Sequence, residues 1–240
     1  MKSWTWVLAL LFVSSASAEE IVDQEFAGPY NLNYYLDYPG DYMAQTFTMR
    51  NSGQIVELGI DVVLTGYNHY QPPIDDLTVM LLRTDASGAP DINQVLATRD
   101  FNWQEFPKYG EPSDPYVLFD VSSWDVRAIA GEVLAIALQS DQVAFDSAGR
   151  WVSDHYDYLW LAGGSDPFPG GDFWLYSPKQ FGPGPHKWAD RYTDPNRPPL
   201  PRPGRDMGFR VVVNVPEPAG LVLAGCGLMG LASGRRWCAV

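Results

Sequence analysis

Cysteine is nearly missing from this chain: the two present, Cys226 and Cys238, both lie close to the C-terminus. The body of the chain therefore has no disulfide and no thiol nucleophile, and a chain this long can bury a core without such staples. Histidine is almost as scarce, with His69, His155 and His186 each in a loop-like context. No His-Glu-x-x-His helix and no Gly-x-Ser-x-Gly elbow occurs, which removes the usual metalloprotease and serine-hydrolase signatures. Basic residues are few: 16 Lys and Arg stand against 29 Asp and Glu, for a net charge of −13. A nucleic-acid partner is excluded on that balance, because phosphates need Lys/Arg patches. No convincing amphipathic helix and no apolar run of the ~20 residues that span a bilayer is present.

What the sequence does have begins at its ends. Lys2 precedes the short apolar run Trp6-Val7-Leu8-Ala9-Leu10-Leu11-Phe12-Val13, and Ala16-Ser17-Ala18 comes next. Small residues at Ala16 and Ala18 suit signal peptidase, so residues 1–18 are expected to be a signal peptide and the mature chain to start near Glu19. At the other end, Val211-Val212-Val213-Asn214-Val215 reads as a last strand, stopped by Pro216-Glu217-Pro218. Proline has no N–H to give a ladder. Ala219 to Leu231 is apolar or glycine, and Arg235-Arg236 lie beyond it. That order fits a tail held at the inner membrane face, with the arginines on the cytoplasmic side.

Pro216-Glu217-Pro218, an apolar segment and Arg235-Arg236 together resemble the PEP-CTERM sorting signal. The resemblance implies recognition by an exosortase, a membrane transpeptidase-like enzyme, in a Gram-negative-type bacterium that makes exopolysaccharide. It departs from the pattern in a short, glycine-rich apolar segment and in the trailing Trp237-Cys238-Ala239-Val240. The expected organisation is a signal peptide over 1–18, a β-sandwich over 19–215 and a sorting or anchor tail over 216–240. The end segments carry Lys2, Arg235 and Arg236 against Glu217, so the charge between them is near −15.

Within 19–215, strand patterns dominate. Ala44 to Met49 alternates with period two, and Ile55 to Leu64 continues it as one long strand with Glu57, Gly59 and Asp61 on one side. Asp76 to Arg83 ends in the turn-rich Thr84-Asp85-Ala86-Ser87-Gly88, with Gln94 to Arg99 and Tyr116 to Val121 after it. Gly131 to Leu138 is mostly apolar and reads as a central strand buried on both faces. Tyr158 to Leu161, Asp172 to Tyr176 and Gly208 to Val213 complete the set. Short strands between Gly/Pro/Asp-rich turns predict an all-β fold, an antiparallel two-sheet, jelly-roll-like sandwich, with a signal helix before it and a hydrophobic helix after it. The order of segments, from Ala44-Gln45-Thr46-Phe47 through Ala130-Gly131-Glu132 and Pro169-Gly170-Gly171 to Asp206-Met207-Gly208-Phe209-Arg210, resembles the choice-of-anchor R type of exported jelly-roll domain. That resemblance implies architecture and says little of activity.

Three kinds of chemistry are open. Glycoside hydrolysis needs two carboxylates across a cleft, and Glu57, Glu105, Glu111 and Glu132 are available without any sequence signal that pairs them. Calcium takes carboxylate and carbonyl oxygens, which makes Asp75, Asp76, Asp172 and Asp206 candidate ligands, although no EF-hand loop is present and solvated acids or turn caps are the competing reading. Aromatics crowd the stretch before the last strand. Trp151, Trp160, Trp174, Tyr176 and Trp188 are candidates to stack on glycan rings; core packing is the competing reading. Arg191, Arg197, Arg202 and Arg205 form a locally basic, proline-rich stretch, suited to an anionic polysaccharide or to internal pairing.

The expectation is thus a non-enzymatic, exported, exosortase-processed protein of the cell surface or extracellular matrix with a structural or adhesive role. The alternatives are a carbohydrate-binding module contacting exopolysaccharide through loop aromatics, and a glycoside hydrolase or lyase. Expected partners are signal peptidase, exosortase, envelope glycans and the membrane through the tail; the expected cofactor is none, or Ca2+.

Overall fold

A computed structural model of the protein describes residues 18–27, 30–35, 42–65, 76–108, 116–140, 157–163, 170–176, 186–187 and 206–216. Backbone contacts divide the chain into two units, one of Glu20–Asn214 and one of Met1–Glu19 with Val215–Val240. The segments expected to form the signal helix and the C-terminal hydrophobic helix lie outside the described residues. Among the described residues no helix is long and apolar enough to cross a membrane.

The described chain is all-β. Its strands are β1 (Ala18–Phe26), β2 (Tyr30–Tyr35), β3 (Tyr42–Thr48), β4 (Gly53–Ile60), β5 (Val62–Thr65), β6 (Leu77–Thr84) and β7 (Pro90–Phe101). They continue as β8 (Val117–Asp120), β9 (Arg127–Ala128), β10 (Val133–Gln139), β11 (Asp157–Gly163), β12 (Phe173–Tyr176), β13 (His186–Lys187) and β14 (Phe209–Pro216). Two 3-10 turns, Trp103–Glu105 and Ser122–Trp124, are the helical elements among the described residues.

Three sheets result. The first runs β1-β14-β4-β8 with β9 also on β4; the second runs β13-β12-β3-β10-β6-β7; the third runs β2-β11-β5. β10 lies between β3 and β6, and Leu134 to Leu138 are each at most 1% exposed. An edge position would leave one side of this apolar run open to water, whereas here both flanks and both faces are covered.

The long strand expected over Ile55 to Leu64 is two strands in different sheets. It breaks at Asp61, where three chain segments meet in a ring of backbone hydrogen bonds. Asp61 N donates to the Gly208 carbonyl (3.0 Å), Gly208 N to the Leu161 carbonyl (2.9 Å), and Leu161 N to the Asp61 carbonyl (2.9 Å). The Trp160 indole N–H also donates to the Gly208 carbonyl at 2.9 Å, which fixes a fully buried ring beside the junction. Periodicity cannot reveal such a break, since residues on both sides keep alternating.

The core is built from the faces that alternate inward. Phe47 of β3 meets Phe209 of β14 at 5.5 Å between ring centroids, and Phe101 of β7 meets Phe119 of β8 at 4.6 Å, edge to face. Each such side chain, buried from water, contributes about 1.5–3 kcal/mol before the entropy of ordering is counted. The second sheet is also apolar on its other face, where Tyr42, Ala44, Met80, Leu82, Ala89, Ala135, Ala137 and Trp174 cluster.

Turns close as the residue types require. Asp85 accepts from Ser87 N, Ser87 Oγ and Ala89 N, and Gly88 takes φ of +83° beside it. A side chain at that φ is strained, which is why glycine sits there.

Candidate functional site

β1 is held along its length by polar contacts. Both oxygens of the buried Asp23 carboxylate are used: Arg50 N donates at 2.9 Å to one, and Asn51 N and Nδ2 donate at 2.7 and 2.9 Å to the other. Gln24 Nε2 donates to the Thr48 carbonyl at 2.6 Å. These side chains fasten β1 to the turn between β3 and β4. Of the processing residues named from the sequence, Ala18 is the first residue of β1 and Pro216 the last of β14. Ala16, Glu217, Pro218, Arg235 and Arg236 lie outside the described residues.

The aromatic candidates divide. Trp160 is 1% exposed and hydrogen-bonded to backbone, so it fills the interior and presents no face to a ligand. Trp174 is 5% exposed within the apolar cluster on the second face of the β3–β10–β6 sheet. Trp151 and Trp188 lie outside the described residues, as does the Tyr176 side chain.

The acidic candidates do not converge. Asp206 is buried and accepts from Gln45 Nε2 at 2.9 Å, while Gln45 Oε1 accepts from Met207 N at 2.9 Å. One buried amide thus fixes both the carboxylate and the backbone leading into β14. Asp172 takes part through its backbone, which accepts from Thr46 N and donates to Thr46 Oγ1. Asp76 faces Asn102 Nδ2 at 3.4 Å, and Asp75 lies outside the described residues. Among the described residues no group of three or more His, Cys, Asp or Glu side chains is placed to hold a metal.

Of the carboxylates considered for paired catalysis, Glu105 caps its own turn, accepting from Asn102 N and from Arg99 Nη2. Glu132 accepts from Ile129 N in the turn before β10. Glu111 lies outside the described residues. Glu57 belongs to a charged patch on the outer side of β4, β8 and β14. Arg210 Nε lies 3.6 Å from Glu57 Oε1, an ion pair too long for a hydrogen bond and about one third exposed. Such a pair contributes at most ~1 kcal/mol.

Gly59 lies between Arg210 and Leu118 in the ladder, and a Cβ there would fall 2.8 Å from Leu118 Cδ2, 3.1 Å from Arg210 Cβ and 3.2 Å from Tyr116 Cβ. The glycine lets those side chains close over the strand. Tyr116 is buried beside them, and its hydroxyl meets no well-formed hydrogen-bond partner among the described residues. Burial first, then the negative charges of Glu25 and Asp61, push its pKa well above the ordinary 10.0, with Arg210 opposing. The hydroxyl therefore stays protonated through the physiological range. Arg210 and Tyr116 carried no sequence signal. Only the alternation that puts Glu57 and Gly59 on one side pointed toward this patch.

No protein-family model matches the chain. Over 100 residues the chain is 32% identical to a protein of Chlorobium luteolum named "Probable nicotinate-nucleotide adenylyltransferase", a match covering 42% of this chain and 47% of that protein. The chain thus spans about half the length of the curated relative it matches, and the match does not place it in that family. It does correct the functional expectation. The relative carries the name of an enzyme, which conflicts with a non-enzymatic, structural or adhesive role for this chain, and both parts of that expectation are withdrawn. Nor is that name one of a carbohydrate-binding module, a glycoside hydrolase or a lyase.

Proposed function

We propose that the chain is an exported β-sandwich precursor, processed at both edges of its fold and delivered to the envelope or outer surface of a Gram-negative-type bacterium. Signal peptidase acts after Ala18, and an exosortase acts at Pro216-Glu217-Pro218. The observation that supports this reading is the sequence at the two ends, Ala16-Ser17-Ala18 after a short apolar run and Pro216-Glu217-Pro218 before an apolar segment and Arg235-Arg236, which border the described strands β1 (Ala18–Phe26) and β14 (Phe209–Pro216). Cleavage before Glu19 and at the Pro-Glu-Pro sequence leaves the described strands from Glu19 to Val215 in the mature chain. The sandwich part of the reading is supported by the ring contacts of Phe47 with Phe209 and of Phe101 with Phe119, which join strands of the two larger sheets. Route and processing are independent of whatever chemistry the domain performs.

The test is the intact mass and location of the full chain expressed in a bacterium that carries an exosortase. Envelope or extracellular protein lacking residues 1–18 and shortened at the Pro-Glu-Pro sequence is the expected result, with Glu217→Ala retaining the tail. A full-length product in the cytoplasm refutes the reading.

A second reading rests on the partial match alone. The relative's name describes adenylyl transfer to nicotinate nucleotide, and this chain, supplied with nicotinate mononucleotide and ATP, tests whether that chemistry extends to it. A dinucleotide product supports the reading, and no product from folded protein removes it. The charge near −15 works against phosphate-bearing ligands.

A further inference from the structure

Among the described residues five large apolar side chains are exposed, and four of them, Val22, Ile92, Val95 and Ile129, lie toward one end of the domain. Backbone contacts place them there. Val22 precedes Asp23, which holds Arg50 N and Asn51 N in the turn between β3 and β4. Ile129 stands in the turn between β9 and β10, whose Ala130 N donates to Ser52 Oγ at 2.9 Å and whose Gly131 N donates to the Met49 carbonyl at 2.8 Å. β10 starts from that turn beside the end of β6, where Leu134 faces Arg83 and Thr84 Oγ1 donates to the Val133 carbonyl. Val95 faces Leu82 of β6, and Ile92 falls in the looped-out residues between the Leu82–Val95 and Thr84–Pro90 pairs. The fifth, Leu118, faces Gly59, about 20 Å along β4 from Gly53 at about 3.3 Å per residue. Single exposed apolar residues are ordinary on a protein surface, but a gathering at one end marks an interaction site.

We infer that this end is an interface at which two copies of the chain pack against each other about a twofold axis. Charge selects the partner. The chain carries 29 acids against 16 bases, so most faces of two copies repel. Here Arg50, Arg83 and Arg127 interleave with Asp85, Asp91, Asp125 and Glu132, and a twofold contact sets such a mixed surface against itself with opposite charges available to meet. Two ion pairs at this end are loose: Arg83 lies 3.9 Å from Glu132 and Arg127 lies 3.8 Å from Asp125, too long for hydrogen bonds, with both arginines mostly exposed. Little is lost when they regroup across a contact. Ile129 is the anchor. It is 69% exposed on a turn whose backbone is already fixed, its N–H donating to Glu132 Oε2 at 3.0 Å and its carbonyl accepting from Glu132 N at 2.9 Å, so less entropy is lost when it is buried. Extension of the sheet at β7 is disfavoured, because Asp91 accepts from Asn93 N, Asn93 Nδ2 and Gln94 Nε2 and closes a bulge on that edge. The contact is therefore made by turns, and it does not depend on the route of export or on removal of either end of the chain.

The full chain is purified and followed by sedimentation velocity from about 1 to about 100 µM, a range in which a modest interface associates. A dimer of the 26.7 kDa chain is expected. Ile129→Glu is expected to weaken its association about tenfold or more, and Val95→Lys, on the β7 side of the same end, to weaken it as well. Leu118→Glu, at the exposed apolar position away from this end, is expected to leave the dimer unchanged. Circular dichroism checks that each variant is folded. A wild-type chain that stays monomeric across the range overturns the inference. So does a dimer that persists in both Ile129→Glu and Val95→Lys, or one that Leu118→Glu removes equally.

Discussion

Replacing Gln45 with methionine is the sharpest test of what holds this fold together. Gln45 is fully buried in β3 and has about the volume of methionine, so Gln45→Met leaves packing nearly unchanged and removes only polar contacts. Two of them cross to the segment before β14: the amide N–H donates to Asp206 and the amide oxygen accepts from Met207 N, both at 2.9 Å. Losing the acceptor leaves the Met207 N–H buried without this bond, a cost of about 1–3 kcal/mol. Losing a donor to a buried carboxylate adds about 1.5–3 kcal/mol. The expected total is about 3–5 kcal/mol after allowing for overlap, since both bonds belong to one side chain. For a domain of this size a urea slope of roughly 2 kcal/mol/M converts this into a midpoint lower by about 2 M. Urea melts of Gln45→Met, Asp206→Asn and the double variant would measure it. A loss below about 1 kcal/mol, or additive effects in the double variant, would refute the reasoning and return Asp206 to the pool of candidate ligands.

Gly59→Ala forces a methyl group against Leu118, Arg210 and Tyr116 and is expected to cost about 1–3 kcal/mol in the same assay; Leu118→Ala, by clearing the 2.8 Å contact, should recover part of it. On the acid side, Asp85, Asp91 and Asp120 have pKa values below the ordinary 3.8, chiefly through hydrogen bonds from Ser87, Gln94 and Ser122 respectively. The folded state binds protons less readily there, so the stability these exposed groups add is present above pH ~4 and is lost as pH falls through their folded values. Substituting all three with asparagine should flatten that dependence in urea melts between about pH 5 and about pH 2. On the alkaline side Tyr116 keeps its proton in the folded state after the unfolded chain has lost it, so its contribution is fully present below the ordinary 10.0 and stability falls as pH rises from there toward the raised folded value. Tyr116→Phe should remove that part of the alkaline decline, as seen by absorbance titration alongside denaturation.

Much of the sheet structure was legible because period-two alternation and turn residues are local signals. β3, β6, β8, β10, β11, β12 and β14 fall within a few residues of the expected segments. β1 was missed because Ala18 to Gln24 is rich in charged and amide residues, and its strand is specified by what Asp23 and Gln24 reach across the sheet. β7 extends well beyond Gln94 to Arg99 because its pairing with β6 tolerates two register shifts. The candidate site was less legible. Trp160 and Asp206 had the residue types of a ligand surface, but burial is set by neighbours distant in sequence, and both are interior. The pairing of Glu57 with Arg210 depends on β4 and β14 being adjacent, which no local pattern encodes.

The ring of backbone hydrogen bonds among Asp61, Leu161 and Gly208 has a consequence for how the domain comes apart. A chain that passes from one sheet to another through such a knot cannot release either sheet alone. Pulling β5 away from β11 also withdraws the acceptor and donor that seat the start of β14. Opening there is shared, and the amide protons of residues 61, 161 and 208 are expected to exchange together, at the rate of the rarest opening of the domain. The junction thus acts as a lock on cooperativity: the sheets it ties together are expected to be lost all at once or kept whole.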